Sequence, residues 1–275
     1  MKILNESTEK QSFKSLSKKL GISSTTSITL FSNSINVSRN PLTEVICIDE
    51  FKASTSLGKY AFILGDPLTG NILDILPSRK QEYIYSYFNN IPKEERFQVK
   101  YVISDMFESY RTVVRELFIN SIHIADRFHW IRFTTESFNK LRINTMNKYL
   151  KIAEKSLDND EARELRLYAK LMKSYYKLLL VNKYHKEETY FSTELYIPSL
   201  RKHLTRQEII EFIINSDKDL EEGYILLQSL YKFSVYSSYD NFVEDINDWF
   251  IEAKNSNINE FKKTITTYKS WMKEI

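Results

Sequence analysis

Between about residues 42 and 130 the apolar positions fall into short β-branched runs separated by polar turns. Val45–Phe51 and Tyr60–Gly65 read as strands. Asp66-Pro67-Leu68-Thr69-Gly70-Asn71 has Pro and Gly in turn positions. Ile72–Leu76 is a third strand, stopped by Pro77. The period then changes: over Gln81–Asn89, Tyr83-Ile84 and Tyr87-Phe88 recur on one helical face. Val99–Ser104 reads as a fourth strand, Phe107–Phe118 as a helix bearing Val113, Val114 and Leu117, and Ser121–Ala125 as a short fifth strand. Short links allow the first three strands to form an antiparallel meander. The fourth needs a crossover helix to lie parallel to the first. Three strands, helix, strand, helix, strand is the element order of a ribonuclease-H-like mixed sheet. The expected fold class is therefore α/β.

The flanks carry a different pattern. Phe13, Leu16 and Leu20 mark one face of a short helix, Gly21-Ile22 breaks it, and Ser23 or Ser24 can cap a second helix carrying Ile28 and Phe31. That is the outline of a helix-turn-helix. The second helix would offer Ser24, Thr25, Ser27 and Thr29 to a nucleic-acid groove, with Lys18 and Lys19 at the end of the first. It holds no Arg or Lys, so bidentate base readout is absent, and a plain helical hairpin packed on the next domain is the other reading.

After residue 131 strand signal almost vanishes. Asp158-Asn159 can cap a helix whose apolar stripe is Leu165, Tyr168, Leu171, Met172, Tyr175, Leu178 and Leu179. Further helices are expected at Arg206–Ile214, Leu220–Phe233, Asn241–Lys254 and Ile258–Lys273, with Pro198 in a loop. The organisation expected is a helix-turn-helix arm over 1–41, a catalytic core over 42–134, and a large all-α region over 135–275.

Composition narrows the class. With 42% hydrophobic residues and only 5 Gly and 5 Pro, the chain can bury a substantial core and is not loop-rich. Net charge is only +3, yet the first 44 residues hold six cations (Lys2, Lys10, Lys14, Lys18, Lys19, Arg39) against three anions (Glu6, Glu9, Glu44). A basic arm on a nearly balanced body suits a nucleic-acid partner, which needs a basic patch rather than a basic whole. The single Cys47 cannot pair within the chain and reads as a small core thiol, consistent with a reducing compartment. No apolar run approaches the roughly 20 residues of a membrane span.

The candidate chemistry lies at strand ends. Asp49 and Asp105 are each the first carboxylate after an apolar run. If the first and fourth strands are neighbours, both acids reach one sheet edge. Carboxylates held together repel each other, and a hard divalent cation with oxygen preference, Mg²⁺ or Mn²⁺, relieves that cost. Two such ions about 3.5–4 Å apart serve in-line displacement at phosphodiesters. Asp105 could instead cap the helix that follows it. Asp126 and His129, three apart after the fifth strand, share a helix face. They are possible neighbours of the acids, or a cap and an ordinary imidazole. His123, His185 and His203 have no partner pattern. Glu108 lies close behind Asp105.

The runs Ile48-Asp49-Glu50-Phe51, Asp66-Pro67-Leu68-Thr69-Gly70, Leu73-Asp74-Ile75-Leu76-Pro77, Ser104-Asp105-Met106 and Ala125-Asp126-Arg127-Phe128-His129, in this order, resemble the ISL-type family of bacterial insertion-sequence transposases. These are DDE enzymes with a ribonuclease-H-like core. The resemblance implies DNA strand cleavage and transfer with Mg²⁺ or Mn²⁺. It places the family's first two catalytic acids, both metal ligands, on Asp49 and Asp105, and a motif of uncertain role on Asp126 and His129. It also implies double-stranded DNA as partner, at element ends and target. A homodimer assembled on that DNA and a bacterial cytoplasmic location are implied too. The family's third acid, a Glu in a Gly-x-x-Glu-Gly motif after a helical insertion, has no match here, since the Gly223 context differs, and an N-terminal cysteine-rich segment has none either. The expectation is a transposase fragment shortened at both ends, inactive alone in strand transfer. Two rivals stand beside it. One is a ribonuclease-H-like nuclease, with Glu108 or Glu252 as third acid. The other is a catalytically inactive DNA-binding remnant.

Overall fold

The computed structural model describes residues 11–34, 39–55 and 57–275. Its centre is a five-stranded sheet of β1 (Val45–Thr55), β2 (Gly58–Gly65), β3 (Ile72–Leu76), β4 (Tyr101–Ser104) and β5 (Ile122–Ala125), in the order β3-β2-β1-β4-β5. β1, β2 and β3 pair antiparallel, and β1, β4 and β5 pair parallel. The meander forms because its links are tight. At the second turn Asp66 accepts the backbone N–H groups of Leu68 and Gly70, and Gly70 takes a positive φ of 72° that a side chain would strain.

Strand alternation decides which face is dry. Ile46 and Ile48 on β1, Phe62 and Leu64 on β2, and Val102 on β4 point to one side. There they pack against α3 (Gln81–Asn89) through Ile84 and Phe88, and against α4 (Glu108–Leu117) through Tyr110, Val113 and Val114. The helix expected at Gln81–Asn89 has those bounds, because its apolar pairs recur on the buried face.

The N-terminal described segment is a pair of helices, α1 (Phe13–Leu20) and α2 (Ser24–Ser34). Gly21 ends α1 with φ 67° and its N–H bonded back to Lys18. Ser23 caps α2, its hydroxyl accepting from the Thr26 N–H at 2.9 Å. Leu16 is buried, and Phe13 meets Phe31 edge-on at 5.3 Å between ring centres.

From Asp126 onward the chain is mainly helical. α5 (Arg127–Lys155) runs unbroken through residue 134, where the sequence pattern placed the start of the third region. α6 (Asn159–Ser174) packs back on it, capped by Asp158, which accepts from the Asp160 and Glu161 N–H groups. The stripe continuing to Leu179 is interrupted at Tyr175, and a separate short turn spans Tyr176–Leu179. α7 (Arg206–Ile214), α8 (Lys218–Tyr236), α9 (Phe242–Asn255) and α10 (Asn259–Trp271) complete a second core around Phe138, Leu227, Trp249, Phe261 and Tyr268.

The region is not all-α, which corrects the expectation. β6 (Glu194–Ile197) and β7 (Lys202–Thr205) form an antiparallel hairpin, with Pro198 in its turn and Arg201 at φ 54°. Each strand has four residues, too short for alternation to stand out from the helical pattern around it.

Candidate active site

β1, β4 and β5 are parallel, so their C-terminal ends meet at one edge of the sheet. In the ladder Ile48 lies opposite Ser104, and Ser104 opposite Ala125. The next residues along the three strands are Asp49, Asp105 and Asp126. β1 continues past Ile48 to Thr55 paired only with β2, since β4 ends at Ser104. A fork therefore opens between β1 and β4, the kind of crevice in which open sheets hold ligands.

Asp49 is exposed, and its Oδ1 accepts the Glu50 N–H at 2.7 Å. Asp105 is half-buried. Burial pushes its carboxyl up to about 6. The charge of Glu50 adds to that, His129 opposes it, Asp49 adds to it and Arg79 opposes it. Its Oδ1 is shielded from solvent and has no hydrogen-bond partner. An orphaned buried carboxylate oxygen is costly, and a hard cation would satisfy it. Carboxylate oxygens of this kind are the donors a hard divalent ion takes. Among the described residues, however, no three His, Cys, Asp or Glu side chains come together as a metal cage.

Glu50 points the other way from Asp49, toward α4. It pairs with Arg79 and accepts the Tyr110 hydroxyl at 3.0 Å. The Arg79 guanidinium lies 4.3 Å from the centre of the Tyr60 ring. This group ties β1, α4 and the segment after β3 together behind the acids. Sequence reasoning did not single out Glu50 or Arg79. The available signal was two successive acids at the strand end, which alternation sends to opposite faces.

Asp126 is a helix cap and a site neighbour together. Its N–H donates to the Ser104 carbonyl at 2.7 Å, and its Oδ1 accepts the Phe128 N–H at 3.1 Å. Its Oδ2 lies 3.6 Å from His129 Nε2. His129 shares with Asp105 a small cavity of about 140 Å³, whose far wall is Arg132 and Glu136, themselves paired at 2.6 Å. Both Arg132 and Glu136 were missed, since they follow one and two helical turns after a motif that ends at His129.

The remaining candidates fall elsewhere. Glu108 is exposed and pairs with Arg111 at 3.3 Å. Glu252 lines a groove between α8 and α9 with Lys232 and Trp249. His123 is neutral near pH 7, because burial and then Arg111 lower it to about 4, and its Nε2 lies 2.8 Å from Ser104 Oγ. Cys47 is half-buried with its Sγ against Gly65. In the helix pair, Lys18, Lys19, Ser24, Thr25 and Thr29 are all exposed. Ser24 Oγ lies 3.1 Å from Ser17 Oγ, and the Thr29 hydroxyl donates to the Thr25 carbonyl.

An acid pair at the fork of a mixed sheet, followed by a long helical region, is the architecture on which family likeness can be judged. A model of the ISL3-type DDE transposases, described as transposase, matches residues 46–275, and the chain belongs to that family. It is similar to the transposase for insertion sequence element IS1001 of Bordetella parapertussis, 22% identical over 231 residues, which cover 82% of this chain. The chain spans about half the length of that relative, 49%. No helix among the described residues is long and apolar enough to cross a membrane.

Proposed function

We propose that Asp49 and Asp105 are the first two catalytic acids of a DDE transposase core that cleaves and transfers DNA strands. The observation that carries this reading is the orphaned Oδ1 of Asp105, one residue past Ser104, which pairs with the Ile48 that precedes Asp49. The strand order β3-β2-β1-β4-β5, with one antiparallel half and one parallel half, supports a ribonuclease-H-like core. A bound Mg²⁺ or Mn²⁺ would polarise a phosphodiester and stabilise the developing oxyanion.

The chain's own residues have separate tasks. Asp49 and Asp105 hold the ion. Glu50, fixed by Arg79 and Tyr110, keeps the end of β1 in place behind them. Asp126 orients His129 toward the cavity it shares with Asp105. The helix pair grips duplex DNA through Lys18, Lys19 and the hydroxyls of Ser24, Thr25 and Thr29, within an arm over 1–41. The core spans 42–134 and the helical insertion 135–275. The active species is a homodimer on paired element ends.

Two carboxylates make a weak site, so these residues alone bind the ion loosely and do not complete strand transfer. A nuclease completed by Glu108 or Glu252 is disfavoured, since the first is paired on the surface and the second lines a groove in the helical region. Mn²⁺ titration followed by electron paramagnetic resonance tests the reading. Wild-type protein binds the ion, and Asp49→Ala and Asp105→Ala each abolish binding. Unchanged binding in both variants overturns the assignment.

A further inference from the structure

Phe128 stands in the first turn of α5 with 68% of its surface exposed. A lone exposed aromatic is ordinary on a protein surface. This one is unusual in where it is held. Two residues before it, Asp126 is bonded to the Ser104 carbonyl and caps the helix. Two residues after it, Trp130 is buried among Phe233, Phe242 and Tyr268, with ring centres 5.9–6.5 Å apart. The backbone cannot swing the ring inward. The His129 ring meets it edge-to-face at 5.4 Å.

The neighbours of the ring along the helix are polar. Arg127 and Asp126 precede the ring, His129 follows it, and Arg132 stands one turn further on. A protein or lipid docking surface needs contiguous apolar area, which these residues break. An exposed π-face with two arginines on the same helix, Arg127 bonded to Ser234 and Arg132 paired with Glu136, suits a nucleobase on the ring and its phosphates on the cations. We infer that the Phe128 ring stacks on a nucleobase next to the cleaved phosphodiester. This rests on the reading of the edge as a DNA-cleaving site. Stacking on a base requires that base to leave its pair, so the contact favours frayed or single-stranded ends over intact duplex.

The test uses the full chain and two fluorescein-labelled oligonucleotides, a fully paired duplex and the same duplex with one unpaired end. Phe128→Ala is expected to bind the unpaired-end DNA about tenfold more weakly, with a smaller loss on the paired duplex, while Phe128→Tyr retains wild-type binding. Phe128→Trp gives a readout independent of turnover. The native Trp130, Trp249 and Trp271 are all buried, so DNA is expected to quench emission in Phe128→Trp far more than in wild type. Undiminished binding by Phe128→Ala with no added quenching in Phe128→Trp, while wild type still binds, overturns the stacking contact alone. Failure of wild type to bind either oligonucleotide overturns the DNA-cleaving reading and this inference together.

Discussion

Asp49 and Asp105 each follow by one residue a directly paired position of the parallel ladder, Ile48 opposite Ser104. The two carboxylates therefore leave neighbouring strands at the same level, where β1 parts from β4. Register alone sets that level, with no long-range contact required.

This placement has a consequence for stability without metal. The Asp105 carboxyl ionises at about 6 in the folded protein against an ordinary value of 3.8. Between those values the unfolded chain has lost the proton and the folded chain keeps it, so stability falls as pH rises from near 4 to 6 and is flat above. Asp105→Asn cannot ionise and lacks that loss. After discounting for partial solvent exposure, the variant should be more stable than wild type by about 1–2 kcal/mol at pH 7 and equal to it near pH 4. Paired thermal melts across that range, without divalent ions, would read the difference. A constant offset at all pH values would contradict it.

Asp126→Ala should destabilise the protein by about 0.5–2 kcal/mol, the usual cost of losing an N-cap oxygen. α5 is 29 residues long, and the Asp126 N–H ties its start to β4 through the Ser104 carbonyl. Asp126→Asn keeps an acceptor for the Phe128 N–H and should recover most of the loss. Urea midpoints of the three proteins give the comparison.

Gly223 lies where α8 crosses α5. A Cβ there would meet Leu141 Cδ2 at 2.4 Å, with Phe138 and Phe261 also within contact distance. Leu141 is itself buried, so its side chain has little room to turn away. Gly223→Ala should cost about 1–3 kcal/mol through overpacking. Combining it with Leu141→Ala should cost less than the sum of the two single changes. Strict additivity in the double-mutant cycle would refute the proposed clash.

How much of this was readable beforehand follows from the range of the forces involved. The five strands, α3 and the caps at Ser23 and Asp158 rest on local signals: β-branched runs, turn residues, and hydroxyl or carboxylate caps. The convergence of the strand ends followed from element order and short links. What was not legible depends on distant partners. Arg79 reaches Glu50 across 29 residues, and Tyr110 reaches it across 60. The Tyr268 hydroxyl bonds the Trp130 carbonyl across 138 residues, fixing α10 against the start of α5. The β6–β7 hairpin escaped because its strands are brief.

Glu50 separates two electrostatic effects that a metal titration can distinguish. Its charge helps hold Asp105 protonated, second only to burial, and would also attract a cation at the fork. Arg79 and Tyr110 donate to different Glu50 oxygens, so in Glu50→Gln the amide oxygen can keep the Arg79 bond while the amide NH2 donates to the Tyr110 hydroxyl oxygen, and the local structure should persist. At pH 8 Asp105 is ionised in both proteins, and losing a negative charge should weaken Mn²⁺ binding modestly. At pH 6 wild-type Asp105 is about half protonated, and the proton competes with the ion. The variant's Asp105 titrates lower, which offsets the lost attraction. The ratio of affinities at pH 8 and pH 6 should therefore shrink in Glu50→Gln. Parallel pH dependence in the two proteins would show that Glu50 does not act on Asp105 through its charge.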